Sequence, residues 1–482
     1  MKKIRKHISY LLLALLILSS VSCNEWLDLE PENKLVKQEF WQKKEDVAAV
    51  MAAMYNAYRR NSEELWVWGE LRADMVDFTG SSFSDYKSIA QSEILPSNGS
   101  ISWSGFYNAI NLANTVLAFS EDVLSKDETF EVDLEKSYEA EALFIRSKCY
   151  FDMVRIWKEV PLVLVASSSD TVSFAVEKNT EAEIIKQIEA DLQKAKTIAY
   201  KDQYASIPEM YKGRANWYSM NALLADIYLW SEQYEKCIGI CDELISSGKF
   251  ELENVNNWFT LYYPGNATES IFEIQYNDDY DGEYNPFSME MVPAVGSSKL
   301  KLKPYCQDLF SATDIRQGSP DPLSKYQYKS LNPKEKRKST DYDVNMIYYR
   351  YADILLMKAE ALSELSRFDE ANSYINEILE RATLQPLTIL PQLVTFRSIL
   401  LEERAKEFAL EGKRWFDVLR FAKKNHFENK SLIIQMILSG ADVKNRPILR
   451  SRVLDTMAYY LPIPQGELDH NPKLVQNPYY DR

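Results

Sequence analysis

Three observations predict a mainly helical fold: glycine is scarce, apolar residues recur at three- and four-residue steps over long stretches, and one helical-hairpin pattern occurs twice. The chain has 14 glycines in 482 residues, about 3% against a typical ~7%. That balance disfavours turn-rich β folds and glycine loops that cradle phosphates. With 46% hydrophobic residues there is ample core material, but the length exceeds the ~250–300 residues at which single cores stop growing. The expectation is one scaffold with large insertions. A formal charge of −15 disfavours nucleic acid as partner, because affinity for a phosphate backbone comes mainly from Lys and Arg.

The first segment lies outside this fold. Residues 1–22 carry Lys2, Lys3, Arg5 and Lys6, an apolar run over 8–18, and small residues up to Cys23, the three-part layout of a secretory signal. The run is shorter than the ~20 residues that span a bilayer. A cysteine directly after Ser19, Ser20, Val21 and Ser22 makes the segment resemble a bacterial lipoprotein signal, which implies Cys23 as the acylated first residue of the mature chain. Losing four of 56 basic residues leaves 52 against 71 acidic ones, a charge of −19.

The helices follow in order. Over 41–59, Val47, Val50, Met51, Met54, Tyr55 and Tyr58 form one apolar stripe, and 103–120 repeats the pattern with Trp103, Phe106, Tyr107, Ile110, Leu117 and Phe119. Between 136 and 157 the apolar face widens until the helix reads as buried on most sides, with Pro161 ending it. Residues 224–245 and 358–379 are similar at an offset of 134: Ala225, Tyr228, Cys237 and Cys241 correspond to Ala359, Leu362, Ala371 and Ile375. These are the small and bulky positions of a tetratricopeptide-like hairpin, where small residues let two antiparallel helices approach closely. Cys237 and Cys241 therefore read as packing thiols rather than a redox or metal pair. Residues 252–346 change character, rich in Asn, Asp, Gly, Pro and Tyr, with a strand-like run over 270–276. Pro462, Pro464, Pro472 and Pro478 predict a nonhelical tail lying extended over the domain.

Catalytic and metal chemistry has little material here. No CxxC pair or HExxH motif occurs, and beyond the leader the histidines are His426 and His470. Glu403, Glu407 and Glu411 fall four apart on one helical face, but Arg404, Lys406, Lys413 and Arg414 surround them, so an ion-pair network is expected. Setting Gly282 at the sixth position of a calcium loop puts Asn277, Asp279 and Asp281 at ligand positions but Ser288 where a bidentate Glu belongs. The segment reads as a polar, ligand-facing or solvated loop with no cofactor, a calcium site of other geometry being the alternative.

Several blocks together resemble the SusD/RagB family of outer-membrane nutrient-binding lipoproteins. They are the start Cys23-Asn24-Glu25-Trp26-Leu27-Asp28, then Glu70-Leu71-Arg72-Ala73-Asp74, the stretch 139–161 with Arg146 and Tyr150, and Arg350-Tyr351-Ala352-Asp353. Glu411-Gly412-Lys413-Arg414-Trp415-Phe416-Asp417 and Leu461-Pro462-Ile463-Pro464 complete the set. The resemblance implies a single domain over 23–482 with four tetratricopeptide-like pairs: 41–60 with 103–120, 136–157 with 181–199, 214–230 with 233–247, and 349–364 with 367–382. It places a loop-rich ligand region at 61–102 and 252–346 and a C-terminal family segment at 396–482. It further implies a noncatalytic, lipid-anchored receptor at the outer-membrane cell surface, with a SusC-like TonB-dependent transporter as partner. Trp415, inside a family block, reads as structural.

Sugar recognition needs apolar platforms for C–H faces and planar polar groups for hydroxyls. Two loop clusters offer aromatics: Trp66, Trp68, Phe78, Phe83 and Tyr86, and Tyr276, Tyr280, Tyr284 and Phe287. The cargo stays open between oligosaccharides and peptides, as does an interaction scaffold without a small ligand.

Overall fold

The scaffold helices start where side chains satisfy their free N–H groups. At α1 (Lys44–Arg59) the Asp46 carboxylate accepts from the Lys43 backbone N–H at 2.8 Å. Thr180 and Glu183 form a reciprocal capping box before Glu181–Ile198, and Asn216 accepts from Tyr218 and Ser219 before Trp217–Trp230. The computed structural model describes residues 40–80, 84–167, 175–277, 284–292, 298–318, 322–326 and 342–481. The leader, Cys23, Phe83 and Tyr280 lie outside these residues.

After α1 come α2 (Ser104–Leu124), α3 (Val132–Trp157), α4 (Glu181–Ile198), α5 (Trp217–Trp230), α6 (Tyr234–Ser246), α7 (Tyr351–Glu364) and α8 (Phe368–Arg381). Each packs on the next, so the four expected pairs stack into one array despite the insertions. As its sequence predicts, α3 is buried on nearly every side, and it stops at Trp157 with Lys158 at φ 71°. The repeat extends to the turn backbone. Glu232 and Ser366, 134 apart, both have positive φ, and the next N–H reaches back to Tyr228 O at 2.8 Å in one copy and Leu362 O at 2.9 Å in the other. Cys237, Cys241, Ala371 and Ile375 are all buried between the helices, and both thiols are free.

Three further helices close the scaffold: α9 (Leu393–Glu407), α10 (Arg414–Phe427), broken by left-handed residues at Asn425 and His426, and α11 (Ser431–Gly440). Among the described residues, four short strands pair as two ribbons. β1 (Val76–Phe78) is antiparallel to β3 (Leu300–Leu302), and the expected β2 (Ser270–Ile274) is antiparallel to β4 (Met346–Arg350), which runs straight into α7. The tail is extended over 461–464, where Leu461 N–H donates to Ile156 O at 2.8 Å and Trp157 Nε1 to Pro462 O at 3.0 Å. It is not wholly nonhelical: Gln465–His470 forms a short helix, because the six residues after Pro464 carry no proline and a helix can start directly behind one.

Candidate functional site

Two regions of the molecule stand out: a buried polar seam and an open groove. The seam joins the sequence blocks 70–74 and 410–417. Both oxygens of Glu70 accept backbone N–H groups, from Leu410 and Gly412, each at 3.1 Å. Burial pushes the Glu70 carboxyl up to about 8 against these opposing bonds. Arg72 stacks over the Trp415 ring at 3.9 Å, and Asp74 takes a two-pronged bond from Arg414 at 2.9 and 3.0 Å. Trp415 is buried, consistent with packing. Contact is so close that a Cβ at Gly69 would stand 1.8 Å from Gly412 O, and Gly412 itself holds φ +75°.

The ion-pair network expected around Glu403, Glu407 and Glu411 exists, but with other partners. Arg350, fully buried, donates to Glu269 at 2.5 Å, Glu407 at 2.6 Å and Glu411 at 3.1 Å; Arg316 reaches Glu403 at 2.6 Å and Glu407 at 2.9 Å; Arg381 also pairs with Glu407. Burial alone would raise the Glu407 carboxyl, yet Arg381, Arg350 and Arg316 together hold it below its ordinary value. The cations near in sequence turn elsewhere, Arg404 to Asp417, Lys406 to Glu402, Lys413 to Asp353 and Arg414 to Asp74. Glu411 lies beyond the end of α9, after Leu410 at φ 64°, and rejoins the network by that turn rather than by helical spacing.

The two aromatic clusters do converge, mostly as packing. Trp66 donates to Leu410 O at 2.8 Å, and its ring lies 4.2 Å from Phe287, which contacts Tyr326 at 5.0 Å. Trp68 donates to Ser100 O and stands edge-on to Trp157 at 5.3 Å. Phe78 meets Tyr86 edge to face at 5.8 Å, and the Tyr86 hydroxyl donates to Glu63 at 2.8 Å. Tyr276 sits beneath Arg59, 5.8 Å from ring to guanidinium, and burial pushes its hydroxyl up to about 12. These six rings are buried and offer no open face. Large rings bury the most area per residue, so a cluster of them collapses inward unless the backbone holds it out. Tyr284 is half-buried next to Asn285, which is bonded to Tyr342 O at 2.6 Å and to Val344 O at 2.7 Å.

The groove lies beside Tyr276 and uses residues outside both clusters. It holds about 390 Å³ between α1 and the end of β2, lined by Ala52, Ala53, Asn56, Arg59, Gly213 and Gln275. Two alanine methyls with the Tyr55 ring make an apolar floor. Asn56 and Arg59 are linked at 3.0 Å on one wall. On the other, the Gln275 amide exchanges two bonds with Asn266 at 2.8 and 3.0 Å and accepts from Asn345 at 3.0 Å, while Asn345 and the Asn266 backbone are held by buried Glu273. Gly213 leaves the room this needs, since a Cβ there would meet Gln275 Cγ at 2.6 Å. Planar amides and a guanidinium around an apolar floor suit sugar hydroxyls and C–H faces. The missed signal was the polar side of the first helix, where Ala52, Asn56 and Arg59 stand at helical spacing opposite the apolar stripe. Among the described residues no cluster of three or more His, Cys, Asp or Glu could hold a metal ion; residues 278–283, which carry most of the calcium-like pattern, lie outside them.

Residues 25–229 match the family model described as starch-binding associating with outer membrane, and residues 305–480 match that of the SusD family. A SusD-like protein of Formosa agariphila is 26% identical over 99% of both chains. Among solved structures, a SusD superfamily protein from Bacteroides vulgatus superposes with a TM-score of 0.71 at 23% identity, covering 91% of this chain and 100% of that one. A laminarin-binding SusD-like protein superposes at 0.68 with 20% identity, covering 91% and 99%. Two family models matched in order, relatives matched end to end and a shared helical-repeat fold agree: the chain belongs to the SusD/RagB family of outer-membrane-associated, glycan-binding proteins.

Proposed function

We propose that this protein is a noncatalytic, lipid-anchored cell-surface receptor that captures an oligosaccharide and passes it to a TonB-dependent barrel transporter of the SusC type. The observation that carries the binding step is the groove beside Tyr276, whose amides are held in place by neighbouring side chains before any ligand arrives. Such preorganisation lowers the ordering cost of binding. Support for the anchor comes from Cys23 after the basic and apolar leader, and for the glycan class from the family. Neither a nucleophile motif nor a cofactor motif in the sequence points to turnover. Calcium is not required by this reading.

The test blocks the groove. Ala53→Trp, at an exposed position of α1, is expected to abolish glycan binding in affinity electrophoresis or calorimetry against a polysaccharide panel while the thermal melt stays unchanged. Undiminished binding by that variant removes the groove from the site. A wild-type protein that binds peptides and no glycan overturns the cargo. Co-purification of a barrel transporter from native membranes tests the hand-off.

A further inference from the structure

One surface is used by neither the seam nor the groove. From 442 to 454 the chain carries Lys444, Arg446, Arg450 and Arg452 against Asp442 alone, a local charge of +3 in a chain of −15. Ten of these thirteen residues are exposed, including Val443 at 71%, Ile448 at 60% and Leu454 at 54%. Leu95, 65% exposed, stands close by, since Asn445 bonds Glu93 at 2.8 Å. No described carboxylate pairs with Arg450 or Arg452, and Lys444 reaches Asp442 only at 3.4 Å with its side chain 77% exposed. Arg446 and Arg450 lie one helical turn apart and flank an open cleft of about 480 Å³ floored by Leu438 and Pro447. Arg446 is steadied there by the carbonyls of Ala441 and Ser439 at 3.2 and 3.4 Å.

We propose that this face seats the protein body on an anionic lipid surface. The arginine-flanked cleft receives a headgroup phosphate, while Val443, Ile448 and Leu454 enter the apolar boundary beside it. Paired guanidinia match phosphate oxygens, and single exposed aliphatic side chains standing among cations are what an interfacial contact requires. A protein groove partner would instead need a continuous apolar lining, and here the exposed aliphatics project outward. The inference rests on the membrane placement in the reading above and not on its glycan.

The chain from Asn24 onward keeps every described residue and lacks the acyl group, so its sedimentation with vesicles reports this face alone. Vesicles of phosphatidylcholine with about one-third phosphatidylglycerol are expected to carry it down and phosphatidylcholine alone not to. Binding should fade as added salt shortens the screening length to about 3 Å at 1 M. Each basic residue near an anionic surface contributes roughly five-fold to binding, so Arg450→Glu with Arg452→Glu should lose at least ~25-fold, and Ile448→Asp should weaken it as well. Unchanged glycan affinity in the same variants shows that the fold and the groove are intact. Absence of wild-type binding to anionic vesicles overturns the proposal, as does equal binding by the charge-reversed variant. It also falls if vesicle binding is absent and the variant instead loses a co-purifying protein partner, which would make the face a protein interface.

Discussion

The seam and the groove are built from different kinds of residue. In the seam, charges are buried and matched to one another: Arg350 serves three carboxylates, Glu70 takes two backbone N–H groups, and Gly69 touches Gly412 with no side chain between. In the groove, amides, small residues and the single guanidinium of Arg59 face an open volume. Three of the blocks by which the chain resembles its family, 70–74, 350–353 and 411–417, fall in the seam, whereas Asn56, Arg59 and Gln275 belong to no block. Part of the family resemblance is thus written in residues that close the scaffold, while the proposed groove is lined by residues outside every block.

Breaking the seam should be the more costly. Arg350→Ala strands Glu269, Glu407 and Glu411 without their shared cation; removing one partner from a buried pair costs ~3–5 kcal/mol, so a collapse in soluble yield or a large drop in melting temperature is expected. A variant melting within a few degrees of wild type would show that Arg316 and Arg381 suffice. Gly69→Ala must push the backbone off Gly412 O, an overpacking of about 1–3 kcal/mol, read in urea unfolding at constant m.

The seam also has a pH signature. Glu70 has a folded pKa of about 8, above its ordinary 4.5, so between those values the folded state holds a proton that the unfolded state releases. Stability from this group is therefore greatest below the ordinary value and falls as pH rises, by about 1.4 kcal/mol per unit across the window. Wild type should lose ground against Glu70→Gln in urea titrations from pH 5 to 8; parallel curves would show that Glu70 titrates normally.

The groove should respond in affinity and not in stability. Asn56→Ala removes one polar group from a half-buried helix position, and a roughly ten-fold weaker glycan affinity, ~1.4 kcal/mol, with an unchanged melt separates the groove from the seam. Tyr284→Ala should have the smallest effect, a few-fold on affinity. A large stability loss with unchanged affinity would place that ring with its buried neighbours.

How far each region was legible follows from the range of its interactions. The hairpins were readable because small and bulky positions at a fixed offset act locally, down to the turns at Glu232 and Ser366. The β1/β3 ribbon was not, because three-residue strands carry no usable alternation and their partners are remote. The carboxylates of the network were found, but their cations were assigned to neighbours in sequence, whereas Arg316, Arg350 and Arg381 arrive from other segments. Glu411-Gly412 is itself a helix stop signal, which would have removed Glu411 from the predicted face. The aromatic clusters were located by composition, which cannot say which way a ring turns; Trp66, Trp68 and Phe287 turned inward.

The meeting of Glu70 with Leu410 and Gly412 joins positions about 340 apart in sequence. Closing so long a loop is entropically costly and slow. Trp66 bonds to Leu410 and packs on Phe287, so these surfaces have no complete partner until the last part of the chain is present. A chain cut short before residue 410 leaves those rings uncovered and the Glu70 carboxyl unmet. The C-terminal block thus supplies the last partners of the first insertion, which has no complete set of contacts until residues 410–412 have been made.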